Sequence, residues 1–332
     1  MSNLNAQNRL QQPFIANSKR VFTLPLGGKI RRGIVALVGQ IVVSGGTTSG
    51  TAYGEGGPAN LIQRIYVKAT PAGGSRYPGG NIVDAGPRSL LRNAIVQRNG
   101  KFIGDLGGST LGAGAAGTYT IYLPIPIYFA DAAQKNSLVT ALNTDPGTYA
   151  SVQVEVDTGS LASCFTGNDR VVDYSGLTMQ WIDERVGIPG DTSVIYQESH
   201  IVLIAATNKR MLDEAMPQDG SFLSWQICAE EGAAKTLADG LLNRVVTKGP
   251  TLDFDKYTND IKEAMFSDEW VDPAQSVVGF HFIDFTDGAV QYNSVAAGTL
   301  QTYFDVTNVS GANDDDLDIF TRRVWQPLPP SN

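Results

Sequence analysis

Ile34-Val-Ala-Leu-Val-Gly-Gln-Ile-Val-Val43, closed by Ser44-Gly-Gly, decides the reading of the chain. Seven of its ten residues are β-branched or Leu, it carries no charge, and glycine ends it, so it reads as a core strand of a sandwich and not as a helix. Working outward, Arg20-Val-Phe-Thr-Leu-Pro25 precedes it as a strand, and Leu61-Ile-Gln-Arg-Ile-Tyr-Val-Lys68 follows a Gly/Thr-rich loop as another. Thr118-Tyr-Thr-Ile-Tyr-Leu-Pro-Ile-Pro-Ile-Tyr128 reads as a strand whose Pro124 and Pro126 require an edge or a bend, because each lacks a ladder donor. Tyr149–Val156 alternates apolar and polar residues, and Leu177–Ile182 completes the first half. Between residues 71 and 118 lies a glycine-rich excursion with one helix, marked by Pro87 near its start and by Leu90, Leu91, Ala94 and Ile95 on one face.

Gly187-Ile-Pro-Gly-Asp-Thr192 reads as the boundary between halves. The second half repeats the pattern. Strands are expected at Ile201–Ala205, Phe222–Ile227, Val277–Ile283, Thr299–Val306 and Leu317–Trp325. Two helices are expected between them, one carrying Ala234, Leu237, Leu241 and Val245, the other Tyr257, Ile261, Ala264 and Met265 with Asp255 as its cap. The division is therefore an Asn/Gln-rich arm at 1–18, a first sandwich at 19–187, a second at 188–326 and an extended tail at 327–332. No internal sequence repeat accompanies the duplicated pattern.

The 332 residues carry 17% charged residues, 36 Gly and 16 Pro, as suits short strands, many turns and surface hidden in contacts. No apolar run reaches the length of a spanning helix, and the N-terminus lacks the apolar stretch of a secretory signal, so a soluble product made in the cytosol is expected. Residues 1–101 carry a net charge of +11 and the remainder −19. Before the first acid, Glu55, stand Arg9, Lys19, Arg20, Lys29, Arg31 and Arg32. These six are the candidate contacts with an anionic surface, lipid or nucleic acid, against the alternative that acids elsewhere in the chain neutralise them.

Catalytic and cofactor chemistry finds little support. Gly112-Ala-Gly-Ala-Ala-Gly117 spells a dinucleotide pattern, but a strand follows it where a helix is needed, so no cofactor is expected. His200 and His281, the two histidines, sit in apolar strand patterns with no serine elbow, and read as structural. Cys164 and Cys228 form no metal-binding spacing. Asp314, Asp315, Asp316 and Asp318 make a dense carboxylate cluster that reads as a solvated turn without calcium-loop spacing, with a metal between subunits left open. Asn308-Val-Ser310 fits a glycosylation pattern without a signal to deliver it.

Phe14-Ile-Ala-Asn-Ser-Lys-Arg-Val-Phe22, the strand at 34–43, Gly57-Pro-Ala-Asn-Leu-Ile-Gln-Arg-Ile65 and Gly117-Thr-Tyr-Thr-Ile-Tyr-Leu-Pro-Ile-Pro126 resemble the first jelly roll of tectivirus major capsid proteins. The likeness covers about residues 13–130, and beyond about 150 only the order of elements matches. The resemblance implies an all-β chain of two tandem jelly-roll β-sandwiches, a double jelly roll with short helices in long loops. It implies a non-enzymatic subunit that trimerises into pseudo-hexagonal capsomers and tiles an icosahedral bacteriophage shell. Partners would be neighbouring capsomers, penton and minor capsid proteins and internal membrane lipids, with no sequence-specific nucleic acid. The location would be the virion, after synthesis in host cytoplasm. Arg9, Lys19 and Arg20 would lie foremost near lipid phosphates. The rival reading is a carbohydrate-binding or carbohydrate-cleaving phage sandwich, with Trp181, Trp225, Trp270 and Trp325 as stacking surfaces.

Overall fold

A computed structural model describes residues 6–47, 51–52, 54–97, 116–130, 140–160, 165–166, 169–187, 192–205, 211–214, 216, 221–232, 235–248, 253–267, 278–285, 292–293 and 301–325. The chain divides into two compact units, one holding 1–97 and 103–195, the other 196–325. Both are jelly rolls.

The first unit has eight principal strands: β1 (Ala6–Pro13), β2 (Lys19–Thr23), β3 (Lys29–Ser44), β4 (Ile62–Pro71), β5 (Gly80–Ala85), β6 (Gly117–Tyr128), β7 (Tyr149–Thr158) and β8 (Leu177–Val186). They form two antiparallel sheets in the orders β1-β8-β3-β6 and β2-β7-β4-β5. The second unit is built from β9 (Val194–Ile204), β10 (Met211–Glu214), β11 (Ser221–Glu231), β12 (Leu242–Lys248), β13 (Asp253–Tyr257), β14 (Phe280–Asp284), β15 (Gln301–Val306) and β16 (Asp315–Trp325). Its sheets run β9-β16-β11-β14 and β10-β15-β12-β13. The second set of orders is the first with every position advanced by one whole unit. Even the helices correspond: α1 (Pro87–Val96) and α2 (Thr258–Ser267) each fall between the fifth and sixth strands of their own sandwich.

Alternation drives each unit closed. On β3 the odd residues Val35, Leu37, Ile41 and Val43 are buried, and Ile121, Leu123, Ile125 and Ile127 of β6 share that inner face. Ile65 and Val67 of β4 and Val152, Val154 and Val156 of β7 close from the other sheet. Each such side chain contributes about 1.5–3 kcal/mol by leaving water. Trp181 of β8 fills the middle, fully buried, with its ring over Gly33. Gly39 is needed for a different reason. Its φ of +136° lies where side chains are strained, and a Cβ there would come 2.0 Å from the Gly176 carbonyl oxygen. In the second unit the inner cluster is aromatic: Trp225 meets Phe222 edge-on at 5.2 Å and Phe285 at 4.9 Å between ring centroids.

The proline expectation holds, since among the described residues β6 pairs only with β3 and ends its sheet, leaving Pro124 and Pro126 on an edge strand. Helix α1 starts at Pro87 and buries Leu90, Leu91, Ala94 and Ile95. The Gly57-Pro-Ala-Asn block forms a 3-10 helix, Gly54–Leu61, ahead of β4. Three expectations are corrected. The arm expected at 1–18 contains a strand of the first sheet: β1 pairs with β8 from Ala6 opposite Arg185 to Pro13 opposite Thr178. An edge strand is held by its backbone, so a segment with little to bury still joins the sheet. The helix through Ala234, Leu237, Leu241 and Val245 is absent; Leu242–Lys248 is β12, because Gly240 at φ +90° breaks the run and Val245-Val246-Thr247 favours a strand. Asp255 caps nothing, since it lies in β13 and pairs with Arg244, three residues before α2 begins. Residues 112–115 of the glycine-rich dinucleotide pattern lie outside the described residues, as do Cys164, Trp270 and the tail.

Candidate assembly surface

The two sheets of the first unit present different outer faces. On β2-β7-β4-β5 the outward residues form a closed charge ladder. Lys68 and Lys19 both donate to Glu155 Oε2, at 2.7 and 3.0 Å, and Lys19 lies 3.6 Å from Asp157. Tyr66 sits between the two ammonium groups, 5.2 and 5.3 Å from its ring. Arg64 closes the row on Asp84 at 2.5 Å. The hydrogen bond from Lys68 holds the Glu155 carboxyl below its usual range, against the opposing effect of burial, and the bond that Lys19 donates to Glu155 holds Lys19 above its own. A face whose charges are matched in place is suited to water.

The outer face of β1-β8-β3-β6 is graded along its length. At one end, Arg32 lies opposite both Glu184 of β8 and Tyr128 of β6, with its Nη2 3.3 Å from Glu184. Arg31 reaches the same carboxylate at 3.9 Å and is half exposed. Arg9 of β1 donates through Nε and Nη2 to Gln180 Oε1, at 3.0 and 2.6 Å. Toward the other end the rows of β8, β3 and β6 carry no charge and mix apolar with polar residues: Ile34 with Ile182 and Pro126, Ala36 with Gln180 and Pro124, Val38 with Thr178 and Tyr122, then Gln40 with Thr120. Three large apolar residues there stand in solvent, Tyr122 at 72% exposure, Val171 at 68% and Val42 at 41%.

The six basic residues therefore do not converge. Arg9, Arg31 and Arg32 share one end of one sheet, while Lys19 belongs to the ladder on the other. Arg20 donates to the Pro13 carbonyl at the β1–β2 corner. Lys29 is 1% exposed and touches no outside surface of this chain. The positive excess of the first hundred residues is met in part by acids further along the same unit, Glu155, Asp157 and Glu184, which a count by halves assigned elsewhere.

The remaining sequence candidates resolve into structure. Asp315 accepts backbone N–H bonds from Gly232, Val309 and Ser310, at 2.9, 2.8 and 3.0 Å. Burial would raise its carboxyl pKa, but these donors hold it below the usual range. Asp316 binds Lys235 at 2.5 Å, and Ser310 Oγ donates to Asp314. The cluster is a turn clamp, with Asp315 and Asp316 buried where a solvated turn was expected. Among the described residues no three His, Cys, Asp or Glu side chains gather to hold a metal, and no helix is long and apolar enough to cross a membrane. Asn308 spends its amide on the Ile204 and Ala312 carbonyls and accepts from Gly311, so it clasps a turn. Trp181 and Trp225 are fully buried and offer no face to a sugar.

No protein-family model matches the chain, and no curated protein matches it in sequence. Solved structures do match in fold. The chain is similar to the STIV MCP, the major capsid protein of Sulfolobus turreted icosahedral virus, at 13% identity, covering 97% of this chain and 96% of that one with a TM-score of 0.66. It is similar to the faustovirus major capsid protein at 9% identity, 98% and 91% coverage and TM-score 0.60. For the major capsid protein P2 of bacteriophage PM2 the figures are 11%, 97% and 98%, and 0.57. This chain accordingly has the double jelly-roll fold of viral capsid proteins, along nearly its whole length.

Proposed function

We propose that this chain is a non-enzymatic major capsid protein that trimerises and tiles an icosahedral shell over an internal membrane. The observation that supports the reading is the pair of eight-stranded sandwiches of identical strand order, continuous over the span shared with the capsid proteins. Two equivalent units per subunit give a trimer six similar corners, which is the footprint a hexagonal lattice needs. Neighbouring capsomers, penton and minor capsid proteins would be its partners, and the virion its location after synthesis in host cytoplasm. The uncharged end of the β1-β8-β3-β6 face, where Val42, Tyr122 and Val171 stand exposed, is the surface to be covered by a second copy, while the charge ladder on the other sheet stays wet. Light scattering of the purified chain at micromolar concentration should give three times the subunit mass. Tyr122→Asp should lower that mass without unfolding the subunit; a wild-type monomer would overturn the reading.

The membrane part rests on Arg9, Arg20 and Arg31, three basic residues at or near the graded face and outside the ladder; Arg32 beside them is held more closely, 3.3 Å from Glu184. Replacing all three with Ser should weaken capture by phosphatidylserine vesicles about a hundredfold at low salt, at about 1 kcal/mol per basic residue near a lipid surface. Lys19→Ser should change capture little, because Glu155 and Asp157 already hold it. Equal capture by the triple variant and the wild type would remove the lipid contact and leave the shell assignment standing.

A further inference from the structure

Helix α2 lies against β14, the edge strand of its sheet, and three side chains make the contact unusual. Met265 Sδ accepts the Phe282 backbone N–H at 3.0 Å, so a thioether caps the edge of β14 opposite its pairing with β11. Lys262 of α2 is ion-paired with Asp239, and Asp239 also accepts the Gly279 N–H at 2.8 Å, tying the helix to the start of the strand. Between these fastenings sits His281, 2% exposed, with no hydrogen-bond partner for Nδ1 among the described residues. The residue opposite it on β11 is Ile227. The charged groups facing it are Lys262 from α2 and Asp239 from the turn before β12, while Asp260 and Glu263 of α2 are exposed.

We propose that α2 is an acid-released latch, in which a proton taken up by His281 undoes the α2–β14 contact and bares the β14 edge while the sandwich stays folded. Held neutral, the buried imidazole needs no counter-ion. Charged, it would be a buried cation beside the Lys262 ammonium, with Asp239, the nearby carboxylate among the described residues, already committed to Lys262 and Gly279. Lifting the helix hydrates it. The sign follows from the two states. Burial first, and Lys262 second, push His281 down to about 3 while it is held. A hydrated histidine takes its proton near 6.5. The released form therefore binds protons that the latched form refuses, and its share rises about tenfold per pH unit from about pH 6 downward. Asp239 does not blur this window, because its carboxyl is held below its usual value by Gly279 and Lys262 despite burial. The latch depends on this contact alone and is independent of the shell assignment.

Hydrogen exchange of the intact chain, corrected for intrinsic rates, tests it between pH 7 and pH 4 by following 258–267 against the core strand 222–230. The expected result is opening of 258–267 that grows about tenfold per pH unit below pH 6, with 222–230 still protected. His281→Leu should make that profile flat, as should His281→Gln. A flat wild-type profile, equal slopes in wild type and variant, or simultaneous loss in both segments would each overturn the latch. Should neither variant fold, the wild-type comparison of the two segments decides by the same criteria.

Discussion

Trp181→Ala should cost the first sandwich about 3–5 kcal/mol, because it empties the centre of a packed inner face. Urea denaturation followed by a probe of that unit would read it as a large fall in midpoint; a change under about 1 kcal/mol would show that the indole is not the keystone of this core. The reciprocal change attacks the same contact from the opposite strand. A Cβ at Gly33 would lie 1.9 Å from Trp181 Cη2 and 2.5 Å from Cζ2, and both residues are buried, so the ring has nowhere to retreat. Gly33→Ala should therefore destabilise by about 1–3 kcal/mol through overpacking. Because the two residues share one space, Trp181→Leu combined with Gly33→Ala should cost less than the sum of the single changes.

The second large effect lies two residues further along β8. Asp183 is fully buried and holds Arg185 through both carboxylate oxygens, at 3.1 Å each, while accepting from the Trp181 indole at 3.2 Å. Arg185, itself 6% exposed, also donates to the Gly27 carbonyl at 2.6 Å and to Thr144 Oγ1 at 3.3 Å. Asp183→Ala leaves that guanidinium buried without its counter-ion and should cost about 3–5 kcal/mol. Asp183→Leu with Arg185→Met removes both charges and should recover most of the loss, since buried ion pairs are close to neutral against apolar replacements. If the double variant is as unstable as the single one, the pair's hydrogen bonds outweigh its desolvation cost. Both denaturation midpoints are needed for this comparison.

What could be read from the sequence divides along physical lines. The Ile34–Val43 strand, the proline edge strand and α1 were legible because each is specified locally, by branching, by a missing donor or by a helix start. Strand β1 was not, because Ala6–Pro13 is recruited through backbone hydrogen bonds to β8 that leave no mark on its Asn/Gln-rich composition. The false helix arose because Leu237, Leu241 and Val245 fall at helical spacing by coincidence, and the positive φ of Gly240 was invisible. At the surface, counting charge located the basic residues but not their partners. Glu155 is 136 positions from Lys19 and Glu184 is 152 from Arg32, so only folding shows which cations are already spoken for. The aspartate cluster likewise looked solvated until the three N–H groups around Asp315 were in place.

The strand order carries a consequence for how the molecule is made. In each sandwich the last strand in sequence sits in the interior of its sheet, β8 between β1 and β3, and β16 between β9 and β11. A nascent chain leaving the ribosome therefore cannot close either sandwich until that unit's final strand has emerged, and until then β1 and β3 face an empty slot about one strand wide. Such long-range closure is slow and leaves pairing edges open while it waits. The first unit must pass through this stage while the second is still being synthesised.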